Sequence, residues 1–222
     1  MTAAQYLANH DTRSVTVLPA LPEPSRADET HHRIANSLQL LVAMVSMEAR
    51  RIADPIAVAA LDMTMRRITA IAGVQRMLYQ SHAEATVELG AYLTDLCSEL
   101  QQGCADEAIG RRVRVAAGQI QVSAEDATAV GVIVSELVSN ACKYAYPAGT
   151  PGDVFVTLRA MPFDGYVLEI SDRGSGIFPD AAPQGTGRGS RVIAMMAHRL
   201  GGCAVWSDAH PGTRFELYVG KC

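Results

Sequence analysis

The dipeptide Asp54-Pro55 divides the first eighty residues into two long stretches of apolar periodicity, and it constrains the fold more than any other feature. Proline lacks an amide hydrogen and restricts the residue before it, so a helix arriving from residue 28 stops here. Before the break, Ile34, Leu38, Leu41, Val42 and Val45 recur at three- and four-residue spacing and form one apolar face. After it, Leu61, Met65, Ile68, Ile71, Ala72 and Leu78 predict the buried side of a second helix over 56–80. Two helices of roughly 24 residues, each about 36 Å long, joined by so short a turn make an antiparallel hairpin. A lone hairpin leaves apolar surface uncovered. Two hairpins pairing into a dimeric four-helix bundle would cover it, so a homodimer is expected; packing against the chain's own second half is the alternative.

The pattern changes after Ser81. Residues 87–101 read as a shorter amphipathic helix, and the alternation over 111–116 is a strand signature, with 120–122 as a brief partner. Ser123 is placed to cap a helix over 124–146, with Asp126 in its first turn, and Pro147, Gly149, Pro151 and Gly152 end it. Strands over 154–159 and 166–171, a glycine-rich stretch over 172–189, a helix over 190–200 and strands over 203–207 and 214–219 complete the chain. Strands that neighbour mostly through hairpins, with helices between some of them, predict an α+β sandwich. The proline-bearing residues 1–25 read as a flexible leader. The expected division is therefore 1–25, a hairpin domain over 26–82 and a second domain over 85–222.

Composition narrows the function classes. A net charge of −4 without a long basic run argues against nucleic acid as a partner. The apolar run 40–47 is followed at once by Glu48 and two arginines, too short to cross a bilayer, so no membrane insertion is expected. The start of the chain shows no basic segment leading into an apolar core, hence no signal peptide. Five cysteines at 97, 104, 142, 203 and 222 are odd in number and never form a CxxC pair. They suggest reduced thiols in a cytoplasm rather than a disulfide frame or zinc site.

Three clusters in the second half carry chemistry. Glu136, Asn140 and Lys143 are spaced four and three apart, which puts them on one helix face. A carboxylate, a carboxamide and an ammonium there suit a magnesium triphosphate, with oxygen for a hard cation and positive charge for phosphate. Taken alone, such a row is more often a solvated face. Asp172-Arg-Gly174-Ser-Gly176 follows an apolar strand; its aspartate can accept from an exocyclic amine while its glycines admit a flat base. Gly185-Thr186-Gly187-Arg188-Gly189-Ser190 leads into a helix, where freed amides and the helix N-terminus attract phosphate. Gly212-Thr213 then precedes the last strand. The order of the four gives them weight that none has singly.

The first helix opens with Glu29-Thr-His31-His32-Arg33. Adjacent histidines lie about 100° apart on a helix and cannot face the same way. A neutral imidazole nitrogen is a competent nucleophile near neutral pH.

Residues 87–219 resemble the ATP-binding domain shared by histidine kinases, gyrase-type ATPases and related chaperones, an α/β sandwich of the GHKL or Bergerat type. Residues 28–80 resemble the histidine-bearing hairpin of sensor histidine kinases. Glu29-Thr-His31-His32-Arg33-Ile-Ala35-Asn36-Ser37-Leu38-Gln39 is similar to the pattern E-x-H-H-R-x-K-N-N-L-Q of a subfamily sister to the HWE kinases. The resemblance implies His32 as phosphoacceptor, with Glu29 orienting its ring or accepting its proton and Asn36 holding a water for dephosphorylation of the partner. It implies Asn140 as a magnesium ligand, Lys143 as a phosphate contact and Asp172 as reader of the adenine amine. Gly174, Gly176, Gly187 and Gly189 would shape the pocket and its lid, with Gly185, Thr186, Arg188 and Thr213 in the same cofactor-binding set and Glu136 assisting at the metal or as a base. ATP and Mg2+ are the implied cofactors. A response-regulator receiver domain is the implied partner, and the sensor input is separate from this chain or missing from it.

The departures are specific. Ala35 and Ser37 replace the usual Lys and second Asn, and Arg188 stands where an apolar residue is commoner. Tyr144 and Val167 occupy the positions of the hallmark His and Trp of HWE kinases, which places the chain in the sister group. The alternative is an ATP-independent phosphotransfer adaptor with a degenerate second domain. An anti-sigma type of serine kinase shares the second fold, but a long hairpin with a His-His-Arg start argues against it.

Overall fold

The computed structural model describes residues 26–81, 86–104, 110–147, 149–176 and 188–220. Two long helices come first, α1 (Arg26–Ala49) and α2 (Pro55–Ser81), packed along their length as a hairpin. Asp54-Pro55 does more than stop α1. The Asp54 carboxylate accepts from the Ile56 amide at 2.9 Å, so aspartate caps α2 and proline takes its first position, where no amide hydrogen is needed.

The buried faces differ from the periodic pattern. In α1, Ala35 and Ala49 are buried, whereas Ile34 and Leu41, expected inside, are exposed together with Leu40, Met44 and Met47. In α2 the buried residues are Ala70, Ala72, Gly73 and Val74, while Ile71 is exposed. The reason is that α2 is covered on two sides, by α1 and by a helix of the second half, α4 (Ala124–Asn140). Small residues let three backbones approach, and the larger side chains turn to the open side. The intramolecular alternative therefore accounts for one face of the hairpin, and the outer face of α1 stays uncovered.

The second half is a two-layer sandwich. Strand β1 (Thr86–Glu88) precedes α3 (Leu89–Cys104), where helix alone was expected. Next come β2 (Arg111–Ala117) and β3 (Gln121–Ser123), and β3 pairs with β1 in a small antiparallel sheet rather than with β2. Beyond α4 lie β4 (Gly152–Met161), β5 (Gly165–Asp172), α5 (Arg188–Arg199), β6 (Cys203–Asp208) and β7 (Thr213–Val219). The main sheet has the order β2-β4-β5-β7-β6, with β2 and β4 parallel and every other pair antiparallel. Register places Val156 beside Ile170, Leu158 beside Leu168, and Leu168 beside Leu217. Alternation sends these to one face, where they meet Leu89 and Leu93 of α3 and Ile133 of α4 in one core. The other face is polar, with Glu169 paired to Arg159 at 3.4 Å and to Arg214 at 3.5 Å.

Tyr92 of α3 joins the two halves. Its hydroxyl donates to the Ala70 carbonyl of α2 at 2.9 Å. A Cβ at Gly73 would lie 2.9 Å from its ring, and one at Gly131 of α4 would collide with its hydroxyl. Burial pushes the phenol's pKa far up, so it stays a neutral donor. Cys97 and Cys203 are free, but Cys142 is disulfide-bonded, which corrects the expectation that all the cysteines are reduced. Wide spacing in sequence says nothing about the approach of two Cα atoms in space. Among the described residues no helix is long and apolar enough to cross a membrane.

Candidate functional site

Helix α4 is the floor of the site. Ser123 caps it as expected, its hydroxyl accepting from the Asp126 amide at 3.0 Å. The expected uniform helix to residue 146 does not form. The α-helix ends at Asn140 and passes into a π-helical turn, Ala141–Ala145. Glu136 and Asn140 therefore keep α-helical spacing, while Lys143 lies within the π segment. Glu136 is 1% exposed, Asn140 is half-buried, and Lys143 is exposed.

Two side chains clamp this turn. The Arg111 guanidinium of β2 donates to four carbonyls: Cys142 at 2.5 Å, Pro147 at 2.8 Å, Tyr146 at 3.2 Å and Thr150 at 3.3 Å. Tyr146 donates through its hydroxyl to the Asp153 carbonyl at 2.6 Å and accepts there from the Arg173 amide at 3.0 Å. Burial pushes its pKa up.

Asp172, at the end of β5, is buried and fixed. Its Oδ1 accepts from the amides of Gly174 at 2.9 Å and Thr213 at 3.3 Å. Both of these bonds fall on the same oxygen, which leaves Oδ2 for an incoming donor. The turn after it locks onto the π segment, because the Ser175 amide donates to the Ala145 carbonyl at 2.8 Å. Gly174 permits that approach, since a Cβ there would collide with the same carbonyl. Gly176 has a positive φ of 76°, and a Cβ would come 3.3 Å from the Gly212 carbonyl.

The third cluster arrives at the other end of this floor. Gly189, in the first turn of α5, sits so that a Cβ would lie 3.4 Å from Glu136 Oε2 and 3.8 Å from Asn140 Nδ2. Glu136, Asn140 and Gly189 are thus brought together. Asp172, Gly174, Gly176 and Thr213 form a second group, tied to the first through the π turn. Gly185, Thr186 and Gly187 lie outside the described residues, as do the side chains of Glu29, His32 and Arg188. The backbone of His32 belongs to α1, and Asn36 is exposed one turn later. Ala35 between them is 1% exposed, which gives a physical reason for a small residue at a position where the resemblance expects lysine.

Periodicity missed the hairpin's contribution. Arg66 of α2 pairs with the buried Glu136 at 3.3 Å, and Asp62, one turn earlier, pairs with Lys143 at 3.3 Å. The available signal was a pair of arginines, Arg66-Arg67, interrupting the apolar pattern between Met65 and Ile68. Arg111 had no such signal, because its acceptors lie some thirty residues downstream.

The donor set fits a magnesium nucleotide. Glu136 Oε1 is buried and has no hydrogen-bond partner among the described residues, an acceptor awaiting a cation or proton. No group of three or more His, Cys, Asp or Glu side chains among the described residues could hold a metal unaided. Magnesium usually takes one or two protein oxygens together with substrate phosphates, so this sparse set suits it.

Two family models cover most of the chain. One, described as histidine kinase, matches residues 29–104, and the other, described as histidine kinase-like ATPase domain, matches residues 105–208. Blue-light-activated histidine kinase 2 of Erythrobacter litoralis is 29% identical over 182 residues, covering 78% of this chain and 50% of the relative. Sensor histidine kinase PdtaS of Mycolicibacterium smegmatis is 33% identical over 133 residues, 60% of this chain and 26% of the relative. The chain thus spans half or less of the length of these relatives. Among solved structures, the blue-light activated histidine kinase of Erythrobacter litoralis superposes with a TM-score of 0.66 at 23% identity, covering 89% of this chain and 60% of that one. Its isolated histidine kinase domain gives 0.64 at 24% identity, with 87% and 94% covered. These two likenesses establish the fold, a helical part followed by a GHKL-type mixed sheet domain. The two matched families, histidine kinase then histidine kinase-like ATPase domain, together span most of the chain and show that it belongs to the histidine kinases.

Proposed function

We propose that the chain is an ATP-dependent protein-histidine kinase of a two-component system. It transfers the γ-phosphoryl group of Mg-ATP to His32 and passes it on to an aspartate of a response-regulator receiver domain. The observation that carries this reading is the meeting of Glu136, Asn140 and Gly189 at one end of the π turn, with the fixed carboxylate of Asp172 at the other. In this reading Asp172 accepts from the adenine amine through Oδ2. Asn140 and Glu136 hold magnesium, which neutralises charge on the phosphates when bound, and Lys143 contacts phosphate. Gly174, Gly176, Gly187 and Gly189 belong to the nucleotide-binding set in the same reading.

An imidazole nitrogen of His32 forms the new bond to phosphorus as the bond to the bridging β-phosphate oxygen breaks, and ADP leaves. Glu29 orients the ring or takes its proton, and Asn36, one turn along α1, holds a water that hydrolyses the receiver's aspartyl phosphate to inorganic phosphate. The assembly is a homodimer through the hairpin.

The test is incubation with γ-labelled Mg-ATP. The expected product is acid-labile, base-stable label that His32→Gln removes. Label that survives His32→Gln defeats the site assignment. Absence of both labelling and nucleotide binding favours the phosphotransfer adaptor instead.

A further inference from the structure

Asp62 and Arg66 lie one turn apart on α2, on the face that meets α4. Each pairs with a charged residue of the candidate site, and each carries the sign of one half of the ligand. Asp62 places a carboxylate on Lys143, where the kinase reading puts phosphate. Arg66 places a guanidinium on Glu136, where that reading puts magnesium. We infer that this pair is an autoinhibitory clasp, in which the hairpin occupies the charged groups of the nucleotide site and competes with Mg-ATP for them.

The two contacts differ in kind. Glu136 is 2% exposed at its side chain and Arg66 17%, and no other cation in the described residues pairs with that carboxylate. A buried carboxylate requires a counter-charge, and Arg66 supplies it at Oε2, leaving Oε1 without a partner among the described residues. A metal ion arriving at Oε1 meets the repulsion of that guanidinium, so Arg66 opposes its binding. Lys143 and Asp62 are 47% and 34% exposed, a weak pair that polyphosphate displaces readily.

Topology supports a resting arrangement. His32 is on α1, α1 packs on α2, and it is α2 that lies against α4. The phosphoacceptor helix is thus one helix removed from the floor of the site. Phosphoryl transfer within one copy requires the second half to leave this face of α2, and release of the clasp by Mg-ATP would couple nucleotide binding to that movement.

The inference rests on the kinase reading, and its test separates the two. Affinity for Mg-ADP is measured by calorimetry on the full chain, on Asp62→Asn, on Lys143→Ala and on the double variant. Asp62→Asn is chosen because the residue is partly exposed and its loss leaves no buried charge unpaired. Freed Lys143 should tighten binding about two- to fivefold, the range set by partly exposed ion pairs. In the Lys143→Ala background the same change should do nothing. Amide exchange over 62–74 of the native chain should rise when Mg-ADP saturates it. If Lys143→Ala weakens binding while Asp62→Asn leaves it unchanged or weaker, the nucleotide reading stands and the clasp is overturned. An equal gain in the Lys143→Ala background, or exchange that does not rise, overturns it as well. If no variant binds Mg-ADP, the nucleotide reading fails and takes the clasp with it.

Discussion

Tyr92 shows how much of this architecture turns on single atoms. Its ring lies between two glycines on different helices, Gly73 of α2 and Gly131 of α4, and its hydroxyl reaches the Ala70 carbonyl. Glycine inside a helix ordinarily costs up to about 1 kcal/mol relative to alanine, so Gly131→Ala on an isolated helix would stabilise. Here the new methyl meets the Tyr92 hydroxyl, and overpacking of a closed core costs about 1–3 kcal/mol. Gly131→Ala should therefore lower the urea midpoint, and adding Tyr92→Phe should recover part of the loss by removing the colliding oxygen. Strictly additive losses in the double variant would refute the steric account. None of this could be read beforehand. The pattern over 87–101 predicted an amphipathic helix around Tyr92, but the two glycines reserved for its ring are far from it in the chain, and glycine carries no periodic signal. Ala35 is the reverse case. It stood out in sequence as a departure from the kinase pattern, and burial supplies its cause.

At the scale of elements, the segment 124–146 is the most instructive. Its cap at Ser123 and its apolar spacing were legible, because both are local. The π turn at Ala141–Ala145 was not, since α and π spacings differ by about one residue per turn and the clamp on the turn comes from another strand. Arg111 gathers four carbonyls at the end of this helix, and a planar fork of donors does what a lysine ammonium cannot. Arg111→Met should leave those acceptors poorly satisfied, at a cost of about 1–3 kcal/mol. Because Ala145 also anchors the turn after Asp172, the same variant should weaken Mg-ADP binding several-fold. Arg111→Lys should restore stability more than affinity. Calorimetry with parallel urea titrations checks this, and an Arg111→Met protein with native affinity would disconnect the π turn from the site. Spacing alone put Glu136, Asn140 and Lys143 on one face. Burial, which spacing does not reveal, differs along that row: Glu136 is a buried carboxylate and Lys143 an exposed ammonium, although both meet α2.

For the whole molecule, the open question of packing is set by the two sides of the hairpin. The inner side of α2 is covered by α4, and the contact is charged at one end and made of small residues at the other. The outer side of α1 carries Leu40 at 63% exposure, Met47 at 61%, Met44 at 51% and Leu41 at 48%. An apolar stripe of this length on a single helix favours burial against a second copy, since helix–helix packing removes it from water at about 25 cal/mol per Å². That the hairpin carries more apolar surface than its two helices cover was legible from its periodicity; which face packs on the second half was not, because spacing alone does not assign a face to a neighbour. The charge clasp and the apolar stripe lie on different helices, so they should respond independently. Sedimentation equilibrium of the native chain should show a concentration-dependent dimer. Met44→Glu combined with Leu41→Glu should shift it to monomer by at least about tenfold in dissociation constant, while the Mg-ADP affinity set by the clasp stays within about twofold. A native chain that remains monomeric at high concentration would leave the stripe to some other protein, and a variant that loses nucleotide affinity in step with dimerisation would mean that the site is assembled across two copies rather than within one.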